Sequence, residues 1–169
     1  MIHRRSVPYL GSAVLLESTY FHDIQSLLLR GYAADELQAL LGEKSLNFPA
    51  SWVTVGKPQQ LTALTHQRGQ GRLILPLTGT TFVLSLRPRS HTPDPVVFRL
   101  QAGQGQAVWV PSGNAQGFYF VTAALLLTAA TEFRSPNKSA LDPTDKTYSI
   151  DIPALTGVKD IRVSPICEV

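Results

Sequence analysis

Cysteine and charge are the scarcest features of this 169-residue chain. The single cysteine, Cys167, has no partner for an internal disulfide, and the simplest interpretation is a reducing compartment. Charged residues make up only 16% of the sequence, the net charge is +3, and no run of five basic residues occurs. The sequence therefore gives little support to nucleic-acid binding, which depends on clustered Lys and Arg.

Long hydrophobic runs are missing as well. The opening MIHRRSVPYLGSAVLLES begins like a secretory signal, but Pro8 and Gly11 interrupt its apolar part and Glu17 ends it early. The longest apolar stretch, from Phe118 to Ala130, is too short to span a bilayer as a helix. We therefore predict a cytoplasmic protein without a membrane partner.

Histidine is too sparse to suggest a metal centre. The four histidines, His3, His22, His66 and His91, form no His-x-His pair, whereas such a centre needs two or three imidazoles and a carboxylate around one ion. His3 and His91 also have polar neighbours in the sequence, as surface residues do. We predict neither a metal nor another cofactor.

What the chain does have is a regular succession of short apolar segments between turn residues. Hydrophobic residues make up 44%, and the 12 glycines and 12 prolines suit many tight turns. We predict one all-β domain over residues 1–169, with residues 1–10 flexible and residues 154–169 as a C-terminal extension. The predicted strands are Arg72–Thr78, Thr80–Arg87, Val96–Gln101, Ala107–Val110, Gly117–Thr122 and Tyr148–Pro153. Because the first two meet at Gly79, we predict that they form a hairpin.

Two segments carry helical signals within this pattern of strands. Ala33–Leu41 places Leu37, Leu40 and Leu41 on one helical face before Gly42, which predicts a short helix. Thr122–Phe133 has helical propensity but lies between strand signals. Since propensity is a weak guide, we predict strands there, with a turn near Ala123–Ala124.

Several motifs, taken in order, resemble one family. QGRLILPLTGTTFVLSLR resembles its QGKLVRV-x-x-G-x-VFDVAVDLR, and VWVPSGNAQGFYFVT resembles its LWIP-x-GFAHGF-x-V. TEFRSP followed by DPTDKTYSIDIP resembles TDYYSP followed by WDDPDL-x-IDWP, and LTALTHQ matches LRGLHYQ in outline. Their order and spacing resemble the dTDP-4-dehydrorhamnose 3,5-epimerase family from about Tyr20 to Pro153. The resemblance implies a cupin-type jelly-roll barrel and a homodimer, for which Ala13–Phe21 offers a strand to pair across the interface.

The positions that this family uses for proton transfer are altered. Epimerisation beside a ketone needs a base, an acid on the opposite face and a positive group for the enolate. By resemblance, the base position holds Thr65, the acid position holds Thr128, and the enolate-stabilising lysine is replaced by Arg72. Asp145 stands where an aspartate orients the family's catalytic histidine. The resemblance thus assigns no working acid or base, and Thr65, Thr128 and Asp145 are degenerate positions.

His66 follows the altered base position directly. Alternation along a strand predicts that His66 points to the opposite side from Thr65. A register shift of one residue would bring its imidazole into the pocket, although a buried face fixes the register strongly. A surface histidine at a strand end is therefore the favoured interpretation, with a ligand contact as the alternative.

Positions for substrate binding are altered too. The arginine of LRGLHYQ is replaced by Thr62, the arginine of the family's DERGFFFE segment by Gln25, and the acid at its end by Arg30. Gln116 replaces the histidine of GFAHGF within a retained Pro-x-Gly turn, where its amide can donate hydrogen bonds but cannot transfer protons. The candidates for substrate binding are Arg72, Gln116, Gln67 and His66.

These observations lead to functions of different classes. A degenerate epimerase relative, kept as a binding or structural module for a nucleotide sugar, accounts for the loss of both proton-transfer groups. The alternative is an active sugar-nucleotide epimerase or isomerase of deoxysugar or surface-polysaccharide biosynthesis that uses other residues. A barrel that binds an unrelated small ligand is the third. His66 pointing inward near Asp145 would favour the enzyme, whereas an interior filled with apolar side chains would favour a structural role.

Overall fold

β-Strands account for most of the residues that the structure describes. The structure is a computed structural model that describes residues 2–6, 13–18, 34–41, 46–88, 95–133, 139–144, 150 and 163–164. Its elements in chain order are β1 (Ile2–Ser6), β2 (Val14–Ser18), α1 (Ala34–Leu41), β3 (Ala50–Gly56), β4 (Gln60–Thr62), β5 (Leu64–His66), β6 (Arg72–Thr78), β7 (Thr80–Leu86), β8 (Val96–Gln101), β9 (Gln106–Val110), β10 (Ala115–Phe120), β11 (Ala124–Ala130), β12 (Ser139–Leu141) and β13 (Val163–Ser164). The prediction of an all-β chain with one short helix is confirmed.

The strands form two sheets. The first sheet has the order β1-β2-β9-β6-β11-β3. The second has the order β12-β5-β10-β4-β13, and β7 joins it by pairing with both β10 and β8. Every described pair is antiparallel except β4 with β13. Strands that follow one another in sequence are therefore often far apart in the sheets.

The segment with conflicting signals, Thr122–Phe133, contains strand β11. Along β11, residues alternate between fully buried and half-buried positions, with Leu126 and Thr128 on the buried side. The strand pairs with β3 on one edge and with β6 on the other, so its neighbours override its helical propensity. The predicted strand is confirmed, and the bend before it covers residues 121–123.

The predicted hairpin at Gly79 is wrong. Strand β6 pairs with β9 and β11 in the first sheet, whereas β7 pairs with β8 and β10 in the second, so the chain crosses between the sheets at Gly79. Gly79 has a φ of +73°, and a Cβ there would overlap the carbonyl oxygen of Ala123. Two adjacent strands joined by a glycine can form either a hairpin or a corner between two sheets. The strands with which each of them pairs lie far away in the sequence, and this pairing decides between the two structures.

We expect Gly79→Ala to lower the free energy of unfolding by about 2–3 kcal/mol, because strain at positive φ is combined with steric overlap. Gly103→Ala is the matched control, since Gly103 has a φ of +80° but nothing within 4 Å of an added Cβ. For this control the backbone strain alone predicts a loss of about 1 kcal/mol. Urea unfolding of both variants measures the difference, and equal losses would contradict the steric argument.

The buried apolar side chains of the described residues form three clusters. The cluster between the two sheets contains Ile74, Val83, Phe98, Leu100, Val108, Val110, Phe118, Phe120 and Leu126. A second cluster lies on the outer side of the first sheet, where Leu37 of α1 packs among residues that include Trp109 and Leu73. The third includes Leu64, Leu84, Leu86 and Tyr119 and lies on the outer side of the second sheet. The face of each sheet that carries the first cluster is called the inner face below.

Helix α1 closely matches the helix predicted at Ala33–Leu41. Leu37 is fully buried, and Leu40 and Leu41 pack against the same cluster. The apolar face of the helix thus covers the outer side of the first sheet. In the part of the chain that the structure describes, no helix has the length and apolar character that a membrane crossing needs.

The N-terminal segment has partners within the same chain. Residues 1–10, predicted to be flexible, include strand β1, which pairs with β2. Strand β2 also pairs with β9, so both of its edges are occupied. The prediction that Ala13–Phe21 pairs across a dimer interface is therefore wrong for the described part, Val14–Ser18. Within the predicted C-terminal extension, Val163–Ser164 form β13, and of the predicted strand Tyr148–Pro153 only Ile150 is described.

Candidate functional site

One end of the inner face carries polar side chains, next to the apolar cluster that fills the space between the sheets. We call this group the polar end: Thr65, Gln67, Gln70, Arg72, Gln116 and Thr128. All of them are buried except Thr65, which is partly buried. Burial of so many polar groups has a free-energy cost unless they are hydrogen-bonded, so their partners define what the polar end can do.

Arg72 is the charged group of the polar end, and three neutral side-chain oxygens are among the contacts of its guanidinium. Its Nε donates to Oε1 of Gln70 at 2.7 Å, and its Nη2 donates to Oε1 of Gln67 at 2.9 Å. A longer contact of 3.4 Å joins Nη1 to Oγ1 of Thr65. With only 4% of its surface exposed, the guanidinium is fixed in orientation by these contacts.

Gln70 connects Arg72 to the end of β11. Its Nε2 donates to the carbonyl oxygen of Glu132 at 2.7 Å while its Oε1 accepts from Arg72. The neighbouring Gly71 donates to Oγ1 of Thr131 and accepts from the amide of Thr131. The short loop before β6 is thereby tied to the first sheet. Gln70 opens the QGRL motif but is not among the predicted site residues, because its role depends on a contact 62 positions away in sequence.

Thr65 and His66 point to opposite sides of β5. The hydroxyl of Thr65 contacts Arg72, whereas Nδ1 of His66 lies 3.4 Å from Oγ of Ser139 on β12. Leu64, which shares its side of β5 with His66, packs in the outer cluster of the second sheet. The structure therefore brings Thr65 to the polar end and leaves His66 outside it, so His66 does not join the other proposed substrate-binding residues.

Gln116 and Thr128 each carry a buried oxygen without a hydrogen-bond partner. Gln116 is directly opposite Thr65 in the pairing of β10 with β5, and it is 3% exposed. Its Oε1 and the Oγ1 of fully buried Thr128 have no partner. A buried polar atom of this kind costs free energy that an apolar side chain would avoid. These two oxygens are therefore candidates for contact with a ligand.

The turn before Gln116 is retained for the fold. The amide of Asn114 donates to the carbonyl oxygen of Pro111, which closes a turn over Pro111–Asn114. Gly113 has a φ of +85°, a conformation that favours glycine at this position. The Pro-x-Gly pattern thus sets the start of β10, and Gln116 is the first residue of this strand that faces the polar end.

The six side chains of the polar end are hydrogen-bonding groups. None of its side chains is a carboxylate, an imidazole or a phenol, and a guanidinium stays protonated at neutral pH. Asp145, Gln25 and Arg30 lie outside the described residues, as do His22 and His91. No group of three His, Cys, Asp or Glu side chains that could hold a metal occurs in the described residues.

Solved structures of one enzyme family share this fold. RmlC from Legionella pneumophila Philadelphia 1, a dTDP-6-deoxy-D-glucose 3,5-epimerase in complex with dTDP-4-keto-L-rhamnose, matches with a TM-score of 0.82 at 21% identity, over 98% of this chain and 89% of that one. The dTDP-4-dehydrorhamnose 3,5-epimerase of Bacillus anthracis str. Ames, with TDP and PPi bound, has a TM-score of 0.77 at 21% identity, over 90% and 91%. The 3'-monoepimerase ChmJ of Streptomyces bikiniensis, in complex with dTDP-quinovose, has a TM-score of 0.73 at 17% identity, over 90% and 78%.

The sequence itself matches a family model. No curated protein matches the chain. The model of dTDP-4-dehydrorhamnose 3,5-epimerase matches residues 9–168, which is nearly the whole sequence. The expected jelly-roll fold is confirmed, and the chain belongs to the dTDP-4-dehydrorhamnose 3,5-epimerase family.

Proposed function

We propose that this protein binds a nucleotide sugar in the cytoplasm without epimerising it, as a family member that has lost proton transfer. The observation that carries the proposal is the placement of Thr65 and Thr128 on the inner face, where Thr65 contacts Arg72 and Thr128 lies opposite Ile74, two residues along β6 from Arg72. Neither hydroxyl has a pKa suited to exchanging protons near neutral pH. The sites that would carry out the reaction are thus occupied by groups that can only donate and accept hydrogen bonds.

Ligand binding is supported by the polar groups that remain. Arg72 and Gln116 still face the interior, and an interior kept only for structure would gain stability by replacing them with apolar residues. RmlC of Legionella and ChmJ of Streptomyces have dTDP-sugars bound in their solved structures. A nucleotide sugar is therefore the ligand class that we assign to this chain.

An active epimerase that works through other residues is the second candidate. The same buried polar groups favour it, because the polar end is not filled with apolar side chains. The two candidates agree on the ligand and differ on chemistry. Binding and proton exchange must therefore be measured separately.

Binding predicts a shift in thermal unfolding. At about one hundred times its dissociation constant, a ligand that binds only the native state adds about 2.7 kcal/mol of stability. We expect this gain with dTDP and with dTDP-quinovose, measured by differential scanning fluorimetry. Inorganic diphosphate at the same concentration is the control for charge alone. If neither nucleotide changes the midpoint, the binding proposal fails and a structural role remains.

A homodimer remains part of the proposal, on the strength of the family resemblance. Strand β3 is an edge of the first sheet among the described strands, and Val53 and Val55 on its outer side are 50% and 72% exposed. An exposed apolar edge of this kind is suited to pairing with a second copy. Light scattering should give twice the chain mass of 18.4 kDa, and a monomer mass at micromolar concentration would exclude the dimer.

A further inference from the structure

The outer cluster of the second sheet is buried more completely than its described neighbours explain. Its members, each at most 4% exposed, are Leu61, Leu64, Leu84, Leu86, Ala115 and Tyr119. Among the described elements, neither the helix nor any strand of the first sheet contributes an apolar residue to this cluster. An antiparallel sheet face without a covering layer is open to solvent. Most of the layer that covers this face must therefore come from residues outside the described ranges.

Ile150 indicates which part of the chain supplies that layer. Of the described apolar residues that pack against the outer cluster, only Ile150 lies outside the strands of the second sheet. In the chain it stands between β12 and β13, which pair with β5 and β4 respectively. Both β4 and β5 line the edge of β10 that lies opposite β7. The chain thus leaves this side of the sheet after β12, contacts the outer face at Ile150, and returns to the same side at β13.

The sequence around Ile150 is suited to covering an apolar surface. Apolar and polar residues alternate over residues 148–153, so Tyr148 and Ile152 are expected on the same side as Ile150. Further apolar residues follow before β13, namely Leu155, Val158 and Ile161. The charged residues between them can remain in solvent. Burial of the apolar side chains against the outer cluster would stabilise both surfaces.

We propose that residues 148–162 dock on the outer cluster of the second sheet and form the layer that buries it. On their other side, β5 and β10 present Thr65 and Gln116 to the polar end. The docked segment therefore supports from the outside the two strands that carry these residues. It is part of the folded domain and not an appended extension. This inference does not depend on the binding of a nucleotide sugar.

Two substitutions in the full-length chain test which side of the segment makes the contact. Ile152→Asp places a carboxylate on the side expected to face the cluster, and Ser149→Asp, the matched control, places the same group on the opposite side. We expect Ile152→Asp to lower the urea midpoint of unfolding by about 1 M or more, because a buried charge without a partner is costly. Ser149→Asp should leave the midpoint nearly unchanged. Equal effects of the two variants, or none, would overturn the proposed contact.

Hydrogen exchange followed by mass spectrometry locates the surface that the segment covers. In Ile152→Asp without urea, we expect amides of β5 and β10 to exchange about tenfold faster or more, while those of β6 and β9 in the first sheet keep their wild-type rates. Equal acceleration in both sheets, or acceleration confined to the first sheet, would overturn docking on the outer cluster. If Ile152→Asp does not fold, Ile152→Ala provides the same comparison with a smaller change, and the same outcomes decide.

Discussion

Incubated with dTDP-4-keto-6-deoxyglucose in deuterated water, the protein is expected to leave C3 and C5 of the sugar without enzyme-dependent deuterium. Exchange requires only removal of a carbon-bound proton, so it detects a base even where epimerisation is incomplete. Each missing acid or base removes a factor of about 10²–10⁴ in rate. The resemblance assigns Thr65 and Thr128 to the base and acid positions, and with threonines at both, the combined loss should bring exchange close to the background rate. Mass spectrometry of the recovered nucleotide sugar measures it.

The control for this experiment is an active family member, such as the Legionella enzyme, under the same conditions. Deuterium incorporation by the wild-type chain that disappears in His66→Ala would overturn the placement of Thr65 at the base position and restore the enzyme. Incorporation that survives His66→Ala would point to another base and would equally contradict the loss of proton transfer. Binding without exchange is the combination that we expect.

Replacing Arg72 with alanine is expected to lower both stability and affinity. The amide oxygens of Gln67 and Gln70 would lose the donors that satisfy them, at a cost of about 1–3 kcal/mol for each buried group. We therefore expect the free energy of unfolding to fall by roughly 2–6 kcal/mol. If the variant folds, its affinity for dTDP-quinovose should fall by about tenfold or more, because a charge-assisted contact is lost.

Arg68→Ala is the matched control, since Arg68 lies in the same loop and is exposed. A surface substitution of this kind should change stability by less than about 0.5 kcal/mol. Urea unfolding compares the two variants with the wild type. If Arg72→Ala unfolded like Arg68→Ala, the hydrogen bonds around the guanidinium would not contribute to the fold.

The sequence was a good guide wherever the determining interactions were local. Strand β11 was predicted in spite of its helical propensity because the segment lies between strand signals and propensity is a weak guide. Alternation also predicted that Thr65 and His66 separate to opposite sides of β5. Helix α1 could be predicted from three leucines on one helical face and a glycine after them.

Local sequence patterns do not reveal which distant segments of the chain interact. At Gly79 the sequence predicts a hairpin and the structure has a corner, because the partners that separate β6 from β7 lie elsewhere in the chain. Gln70 has no signal of its own in the sequence, since its contact with Glu132 joins positions 62 apart.

The crossing at Gly79 also affects how the chain folds. Because β6 and β7 leave Gly79 for different sheets, these two strands do not pair with each other. Among the described strands, only β1 with β2 and β7 with β8 pair as consecutive elements. The remaining pairs must close long loops before they gain any contact, as when Val14 of β2 meets Trp109 of β9. A chain of such high contact order should fold slowly, over about milliseconds to seconds, with its strand edges open to other chains in the meantime.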